Sequence, residues 1–172
     1  MTSIQPEISI IIPIYNSVST LEACIQSIVD QDFQYWESIL VDDGSSDNSY
    51  QFAVNLAQKD SRIKVLRQEH KGVSATRNLA LSYAQGKHVC FVDADDTIET
   101  DYLSSLYTYR EYDMVIGGYF VDCYDVDHKL TNRTPHLPYS ITLTNITDRS
   151  VLTPLFMNGM IHINCNKLLN LE

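Results

Sequence analysis

Cysteine is scarce in this chain, and its few cysteines are not spaced as metal or redox sites require. The 172 residues include four cysteines, at positions 24, 90, 123 and 165, with no CxxC pair among them. Disulfide frameworks and zinc sites are marked by closely and regularly spaced cysteines. We therefore expect isolated, buried thiols of the kind found in the reducing cytoplasm.

Positive charge is also scarce. Lysine and arginine together number 12 against 22 aspartates and glutamates, which gives a formal net charge of −10 and a pI near 4.8. A protein that binds nucleic acid needs a basic stripe to neutralise the phosphate backbone, and this sequence offers none. If the protein binds an anionic ligand, a metal ion or a local lysine or arginine must overcome the acidic background.

Long apolar runs are missing as well. No segment approaches the roughly 20 apolar residues that a membrane span needs, and the first residues lack the basic-then-apolar pattern of a secretion signal. The apolar fraction of 44% is ordinary for a globular protein, and the length suits one domain with a full core. We expect a cytoplasmic protein without a transmembrane segment.

The chain does contain a regular alternation of strand and helix patterns. Apolar, β-branched runs predict strands at 8–14, 38–41, 63–66 and 88–92, and helical periodicity predicts helices at 21–29, around 52–57, at 73–84 and at 99–109. This order implies an α/β fold with a mostly parallel sheet and helices on both faces. Beyond residue 113 the pattern loosens, with a strand predicted over 114–124 and a short helix over 148–157.

Polar residues predict where some of these helices begin and end. The segment 19–22, with sequence STLE, matches a capping box for the first helix. Asp47 or Ser46 is placed to cap the second helix, and Gly86 to follow the end of the third.

Chemically active residues are concentrated where the predicted strands end. They are Pro13, Tyr15 and Asn16 after the first strand, Asp42 and Asp43 after the second, and Asp93 and Asp95 after the fourth. The carboxyl ends of parallel strands meet at one edge of a sheet, where ligand crevices lie. Carboxylates gathered there repel one another unless a cation sits among them. A hard divalent cation that keeps a phosphate as a further ligand would satisfy them.

The same edge suits a nucleoside diphosphate. A buried carboxylate such as Asp43 can accept the N3–H of uracil or the N1–H and N2–H of guanine, whereas adenine and cytosine present acceptors at the equivalent ring positions. Tyr15 could stack on a base. Lys71 and Arg77 flank the start of the third helix, whose free N–H groups favour phosphate.

Four short segments in order resemble a known enzyme family. Residues 9–16 read SIIIPIYN, 41–45 read VDDGS, 72–78 read GVSATRN and 91–96 read FVDADD. Together they resemble glycosyltransferase family 2, the inverting nucleotide-sugar transferases of GT-A fold, over roughly the first two thirds of the chain. The resemblance implies a Rossmann-like, mostly parallel sheet, a donor that is most often a UDP-sugar, and Mg²⁺ or Mn²⁺ as cofactor.

The resemblance also implies roles for individual residues. Pro13, Tyr15 and Asn16 correspond to the first nucleotide-contacting loop, Asp43 to the base-contacting aspartate, Arg77 to the diphosphate-side arginine, and Asp93, Ala94 and Asp95 to the DxD motif. Within that motif Asp95 would bridge the metal, and Asp93 would lie nearer the ribose.

By the same resemblance, residues 1–110 form a nucleotide-sugar-binding half and residues 111–172 an acceptor-side half. In the family the catalytic base is usually a carboxylate beyond an Asn-Lys-Leu-like segment, but here the segment 166–169 almost ends the chain. Either the chain is a truncated piece of a longer transferase or the base comes from elsewhere. The available carboxylates are Asp122, Asp125, Asp127 and Asp148, and nothing in the spacing selects one. Our hypothesis is that this chain binds nucleotide and metal but transfers sugar poorly.

Two other classes of function compete with this interpretation. A receiver-type signalling domain fits badly, because its acidic pair follows the first strand and the pair here follows the second. A non-catalytic binding or scaffold module derived from a transferase remains open, since no base is identified. Family analogy alone favours bacterial surface-polysaccharide synthesis in the cytoplasm or at the inner face of the membrane, with a glycan or lipid-linked acceptor.

Overall fold

The computed structural model describes residues 5–127, 129–136 and 167–171, and it contains a six-stranded sheet and a two-stranded hairpin. The strands are β1 (Ile8–Ile14), β2 (Trp36–Asp43), β3 (Ile63–Gln68), β4 (His88–Phe91), β5 (Met114–Ile116), β6 (Tyr119–Tyr124), β7 (Leu130–His136) and β8 (Lys167–Asn170). The helices are α1 (Leu21–Val29), α2 (Ser49–Ala57), α3 (Val73–Leu81) and α4 (Tyr102–Tyr107).

The large sheet has the order β3-β2-β1-β4-β8-β5. Strands β1 to β4 pair in parallel, whereas β8 runs antiparallel to both β4 and β5. In the register of the parallel strands, Ile14 lies level with Asp42, and Asp43 lies level with Gln68. The mostly parallel sheet is confirmed, and its carboxyl ends share one edge.

Alternate residues of β1 supply two separate cores. Ile8, Ile10, Ile12 and Ile14 are fully buried on the face covered by α1, α2 and α4. Ile11 is buried on the opposite face, where it clusters with Ala80 of α3 and with apolar residues of β2 and β4. The sequence of a strand that is covered on both faces is a nearly continuous run of apolar residues, as in β1. Helices on both faces are therefore confirmed.

Several helix ends differ from the sequence prediction. The capping box at 19–22 does not form: Thr20 takes the cap position with φ −111° and ψ −24°, and no side chain there bonds the helix. Its hydroxyl instead donates to the carbonyl of Ser17 at 3.3 Å. The predicted cap at Asp47 is partly right, because its carboxylate accepts the N–H of Ser49 at 2.9 Å, although Asn48 occupies the cap position itself.

Other elements are shorter or divided. The third helix ends at Leu81 rather than at residue 84, and the fourth spans only Tyr102–Tyr107. The strand predicted over 114–124 is two strands in different sheets, because β5 pairs with β8 while β6 pairs with β7. The helix predicted at 148–157 lies outside the described residues. None of the described helices has both the length and the apolar character that crossing a bilayer requires.

Candidate functional site

A cleft of about 650 Å³ opens at the carboxyl edge of the parallel strands. Most of the residues predicted from the sequence line it: Pro13, Tyr15, Asn16, Asp43, Arg77, Asp93, Ala94 and Asp95. The neighbouring residues Ile14, Ser17, Ser19, Thr20, His70, Val73 and Thr76 complete the lining. The acidic segments after β2 and β4 therefore meet in one cleft, as the parallel topology predicts.

Asp42 does not share this cleft. Its side chain is fully buried, and one carboxylate oxygen lies 3.1 Å from Nε of Arg67. The same oxygen accepts the N–H of Ser45 at 3.2 Å. Because successive side chains of a strand point to opposite faces, Asp42 and Asp43 separate into a structural carboxylate and a cleft carboxylate.

Asn16 joins β1 to the turn after β2. It has a positive φ of 50°, a conformation that asparagine tolerates better than most residues. Its side-chain oxygen accepts the N–H groups of Ser46 at 2.8 Å and Asp47 at 3.3 Å. Asn16 therefore shapes the cleft by fixing this turn, and its predicted contact with a nucleotide stays a prediction.

Asp43 is buried and is surrounded by hydrogen-bond donors. Its carboxylate accepts the side-chain amide of Gln68 at 2.6 Å and the N–H groups of Lys71 and Gly72, each at 2.9 Å. Burial alone would raise the pKa of Asp43, but these hydrogen bonds outweigh it and hold the pKa below its ordinary value. Asp43 is thus a carboxylate that stays ionised in a site of limited solvent access.

His70 is a cleft residue that the sequence analysis does not single out. Nδ1 lies 2.9 Å from Oδ2 of Asp43 and 3.1 Å from the carbonyl oxygen of Asp43. The ring contacts Tyr15 with centroids 4.5 Å apart and planes tilted by 30°. The one sequence signal was its place two residues after β3, at the edge where the other cleft residues lie. Lys71, by contrast, contributes its backbone to Asp43, and its side chain does not line the cleft.

The turn at Gly44 allows this loop to approach. Gly44 has a φ of +74°, and a Cβ on it would lie 2.9 Å from the backbone nitrogen of His70. Glycine is suited to both demands, because it reaches positive φ without strain and leaves room for a neighbouring backbone.

Arg77 and Asp93 form the ion pair of the cleft. An Arg77 Nη donates to Asp93 at 2.7 Å, and the guanidinium lies 5.7 Å from the ring centre of Phe91. The Nε of Arg77 is buried and has no hydrogen-bond partner among the described residues. A buried donor without a partner is a reason to expect a ligand or water there.

Asp95 differs from Asp93 in its surroundings. It is exposed, and within the part of the chain that the structure describes its carboxylate has no hydrogen bond and no ion pair. The described residues also contain no group of three His, Cys, Asp or Glu arranged to hold a metal ion. The carboxylates of Asp95 and Asp93 fit Mg²⁺ or Mn²⁺ that is bound through one or two carboxylates and has phosphate and water as its other ligands. They do not fit an ion held in an all-protein cage.

Cys24 lies beneath this segment, with Sγ 3.5 Å from the carbonyl oxygen of Asp93. Burial, and then the charges of Asp96, Asp95 and Asp93, raise the pKa of the thiol to about 12. Cys24 is fully buried in the core cluster that includes Ile14 and Leu21, so it is a packing residue beneath the cleft.

Comparison with known proteins identifies the family to which this arrangement belongs. Residues 9–168 match the sequence model described as glycosyl transferase family 2. The chain belongs to glycosyltransferase family 2. This match extends beyond the first two thirds of the chain on which the resemblance rested.

Curated family members from bacteria are similar over most of the chain. Glycosyltransferase GlyG of Streptococcus pneumoniae is 39% identical over 117 residues, which cover 66% of this chain and 39% of GlyG. An Escherichia coli protein, the UDP-Glc:alpha-D-GlcNAc-diphosphoundecaprenol beta-1,3-glucosyltransferase WfgD, is 35% identical over 159 residues, which cover 86% of this chain and 62% of WfgD. The chain thus spans less than two thirds of the length of each relative.

Solved family structures share the fold. TarS of S. aureus, residues 1–349 in complex with UDP, superposes with a TM-score of 0.59 at 32% identity, over 64% of this chain and 34% of that 1–349 chain. Another TarS structure covers 95% of this chain with a TM-score of 0.65. The predicted GT-A fold of glycosyltransferase family 2 is therefore confirmed.

Among the described residues after residue 110, two of the carboxylates considered as the catalytic base are already engaged in contacts of their own. Asp122 is paired with Arg133 at 2.8 Å. Asp125 accepts the N–H groups of Asp127 and Lys129 within its own turn. Asp148 lies outside the described residues.

Proposed function

We propose that this chain is the donor-binding part of an inverting glycosyltransferase that uses a UDP-sugar and a divalent cation. The observation that carries the proposal is the grouping of Asp43, Arg77, Asp93 and Asp95 in one cleft. In this group the carboxylate of Asp43 is suited to bind a nucleobase, and the guanidinium of Arg77 is suited to bind a diphosphate. The carboxylate of Asp95 is suited to bind a metal ion. TarS in complex with UDP and with UDP-GlcNAc, at 32% identity, supports a uridine nucleotide.

In this proposal each end of the cleft holds one part of the donor. Tyr15, which is half exposed, stacks on the base, and Asp43 accepts the ring N–H of the base. Arg77 donates to a diphosphate oxygen through the Nε that has no partner among the described residues. Asp93 orients this guanidinium and lies toward the ribose.

Asp95 would hold the cation, and enzymes of this family and fold commonly use one. A bound divalent cation supplies charge stabilisation to the leaving diphosphate. Arg77, the one lysine or arginine among the described residues that line the cleft, adds a second positive charge there. Inversion requires a base on the opposite face of the sugar to deprotonate the acceptor hydroxyl. We propose a glycan or lipid-linked acceptor, by analogy with the name of WfgD.

The first test is binding. Thermal stabilisation of the chain by a panel of nucleoside diphosphate sugars, with and without Mn²⁺, should select UDP-sugars and should require the metal. Asp95→Asn should lower the metal-dependent affinity for UDP by about tenfold or more, since one charged ligand is lost. Glu22→Gln, an equivalent charge change on the exposed side of α1, is the matched control and should bind as the unmodified chain does.

Calorimetry of UDP binding and an assay of sugar transfer separate the alternatives. Metal-dependent UDP binding without sugar transfer would favour one of two alternatives. Either the chain is a non-catalytic binding module, or its catalytic base is supplied by residues outside this chain. Absence of any nucleotide binding by the folded chain would contradict the proposed function itself.

A further inference from the structure

The groups around the Asp43 carboxylate leave no open acceptor position for a nucleobase. A carboxylate offers about four lone-pair positions on its two oxygens. Oδ1 accepts from Gln68 and from the N–H of Lys71. Oδ2 accepts from the N–H of Gly72 and lies 2.9 Å from Nδ1 of His70. The three hydrogen-bond donors and the His70 ring together surround both oxygens, so a ring N–H of a nucleobase can reach the carboxylate only if one of these four groups moves away.

His70 is the donor that can leave at least cost. Two of the other donors belong to the backbone of the loop before α3, and the Gln68 amide is also bonded to Thr76 at 3.1 Å. The His70 side chain is 59% exposed, so its ring can rotate into open solvent. Its Nδ1 faces only acceptors: it is hydrogen-bonded to the carbonyl oxygen of Asp43 at 3.1 Å, and it lies 2.9 Å from the carboxylate oxygen Oδ2. Nδ1 must therefore carry the hydrogen and act as the donor.

We propose that His70 is a specificity-determining residue that occupies the base-binding position of Asp43 until a base with a ring N–H replaces it. This inference rests on the proposed function, because it assumes that the cleft takes a nucleotide. A uracil N3–H or a guanine N1–H replaces the Nδ1–H of His70 with a like donor. Cytosine presents a ring acceptor at that place, so it cannot compensate Asp43 for the lost donor.

The ring of His70 also contacts Tyr15, the residue on which the base is proposed to stack. The two rings already lie 4.5 Å apart in the same cleft. A base that stacks on Tyr15 and bonds to Asp43 must pass between or beside them. His70 therefore opposes every ligand that carries a base, and it leaves ligands that bind only at Arg77 unaffected.

The test removes the donor and keeps the ring. His70→Phe retains an aromatic ring beside Tyr15 but has no N–H for Asp43. We expect the affinity for UDP, measured by calorimetry with Mn²⁺, to rise about threefold to tenfold, since the base no longer displaces a hydrogen bond. The affinity for inorganic pyrophosphate should not change. Glu69→Gln, on the exposed neighbour of His70, is the control and should leave both affinities as they are.

His70→Ala tells whether the ring also contributes by stacking, because it removes the donor and the ring together. Its UDP affinity should lie below that of His70→Phe. Melting temperatures without ligand check that each variant is folded. If the unmodified chain binds UDP and His70→Phe binds it equally or more weakly, the role of His70 is overturned while the proposed function stands. If the unmodified folded chain binds no nucleotide, the proposed function fails first.

Discussion

At the scale of single residues, the sequence predicts the cleft residues that stand at element ends. Asp43, Arg77, Asp93 and Asp95 could be located because strand ends and a helix start bring them to one edge. His70 could not, because its contact with Asp43 depends on how the loop after β3 folds back onto the turn at Gly44. The same limit applies to Arg67, whose pairing with Asp42 is a tertiary contact.

The ion pair of Arg77 leads to a prediction about which part of a ligand it binds. Arg77→Ala should weaken UDP binding by about 10- to 100-fold, the effect expected when a charge-assisted hydrogen bond of about 1.5–3 kcal/mol is lost. The affinity for uridine, which carries no phosphate, should change little. Calorimetric titration of both ligands measures the two effects, and an equal loss for uridine would contradict a phosphate-side role. Arg77→Lys, which keeps the charge but loses the planar donor group, should show an intermediate loss.

At the scale of elements, strands were easier to predict than helix ends. The first four strands lie within two residues of their predicted bounds, because their apolar runs are local signals. The cap at 19–22 was wrong because Thr20 bonds to Ser17 instead. The strand over 114–124 was divided because its two parts pair with distant partners, β8 and β7. Local patterns carry no information about such partners.

The turn after β2 provides a prediction about loop assembly. Gly44→Ala should lower the free energy of unfolding by about 1–3 kcal/mol, because it combines a positive φ with a Cβ only 2.9 Å from the His70 nitrogen. Chemical denaturation measures the change. Gly44→Asn separates the two causes, since asparagine tolerates positive φ but also carries a Cβ. If Gly44→Asn is as stable as the unmodified chain, the close approach to His70 is not a constraint.

At the scale of the whole molecule, Glu37 connects three elements on the α3 face of the sheet. Its buried carboxylate accepts the hydroxyl of Ser9 at 2.7 Å and the N–H of Gln85 at 2.6 Å. It also lies 2.7 Å from Nζ of Lys64. Burial would raise the pKa of Glu37, but the hydrogen bonds from Lys64, Ser9 and Gln85 outweigh it and lower the pKa below 4.5.

This lowered pKa predicts how stability depends on pH. A carboxylate whose pKa is lower in the folded state than in the unfolded state contributes its full stabilisation at pH values above the unfolded-state pKa. This contribution is lost as the pH falls through the folded-state pKa. Glu37→Gln should therefore be less stable than the unmodified chain at pH 7, by about 1–3 kcal/mol. The difference should shrink below about pH 4.5, the ordinary value. Urea denaturation across this range measures it, and a constant difference would contradict the assignment. Glu22→Gln is again the matched control.

The position of β8 has a practical consequence for anyone who shortens this protein. Residues 167–170 fill the gap between β4 and β5, so the far end of the chain completes the sheet that carries the cleft. A version trimmed after residue 110 would keep all eight predicted ligand contacts yet leave β4 as an uncovered border with unpaired backbone groups. Exposed edge strands of this kind promote intermolecular strand pairing and precipitation. Loss of activity in a trimmed version would then report aggregation rather than a missing binding residue.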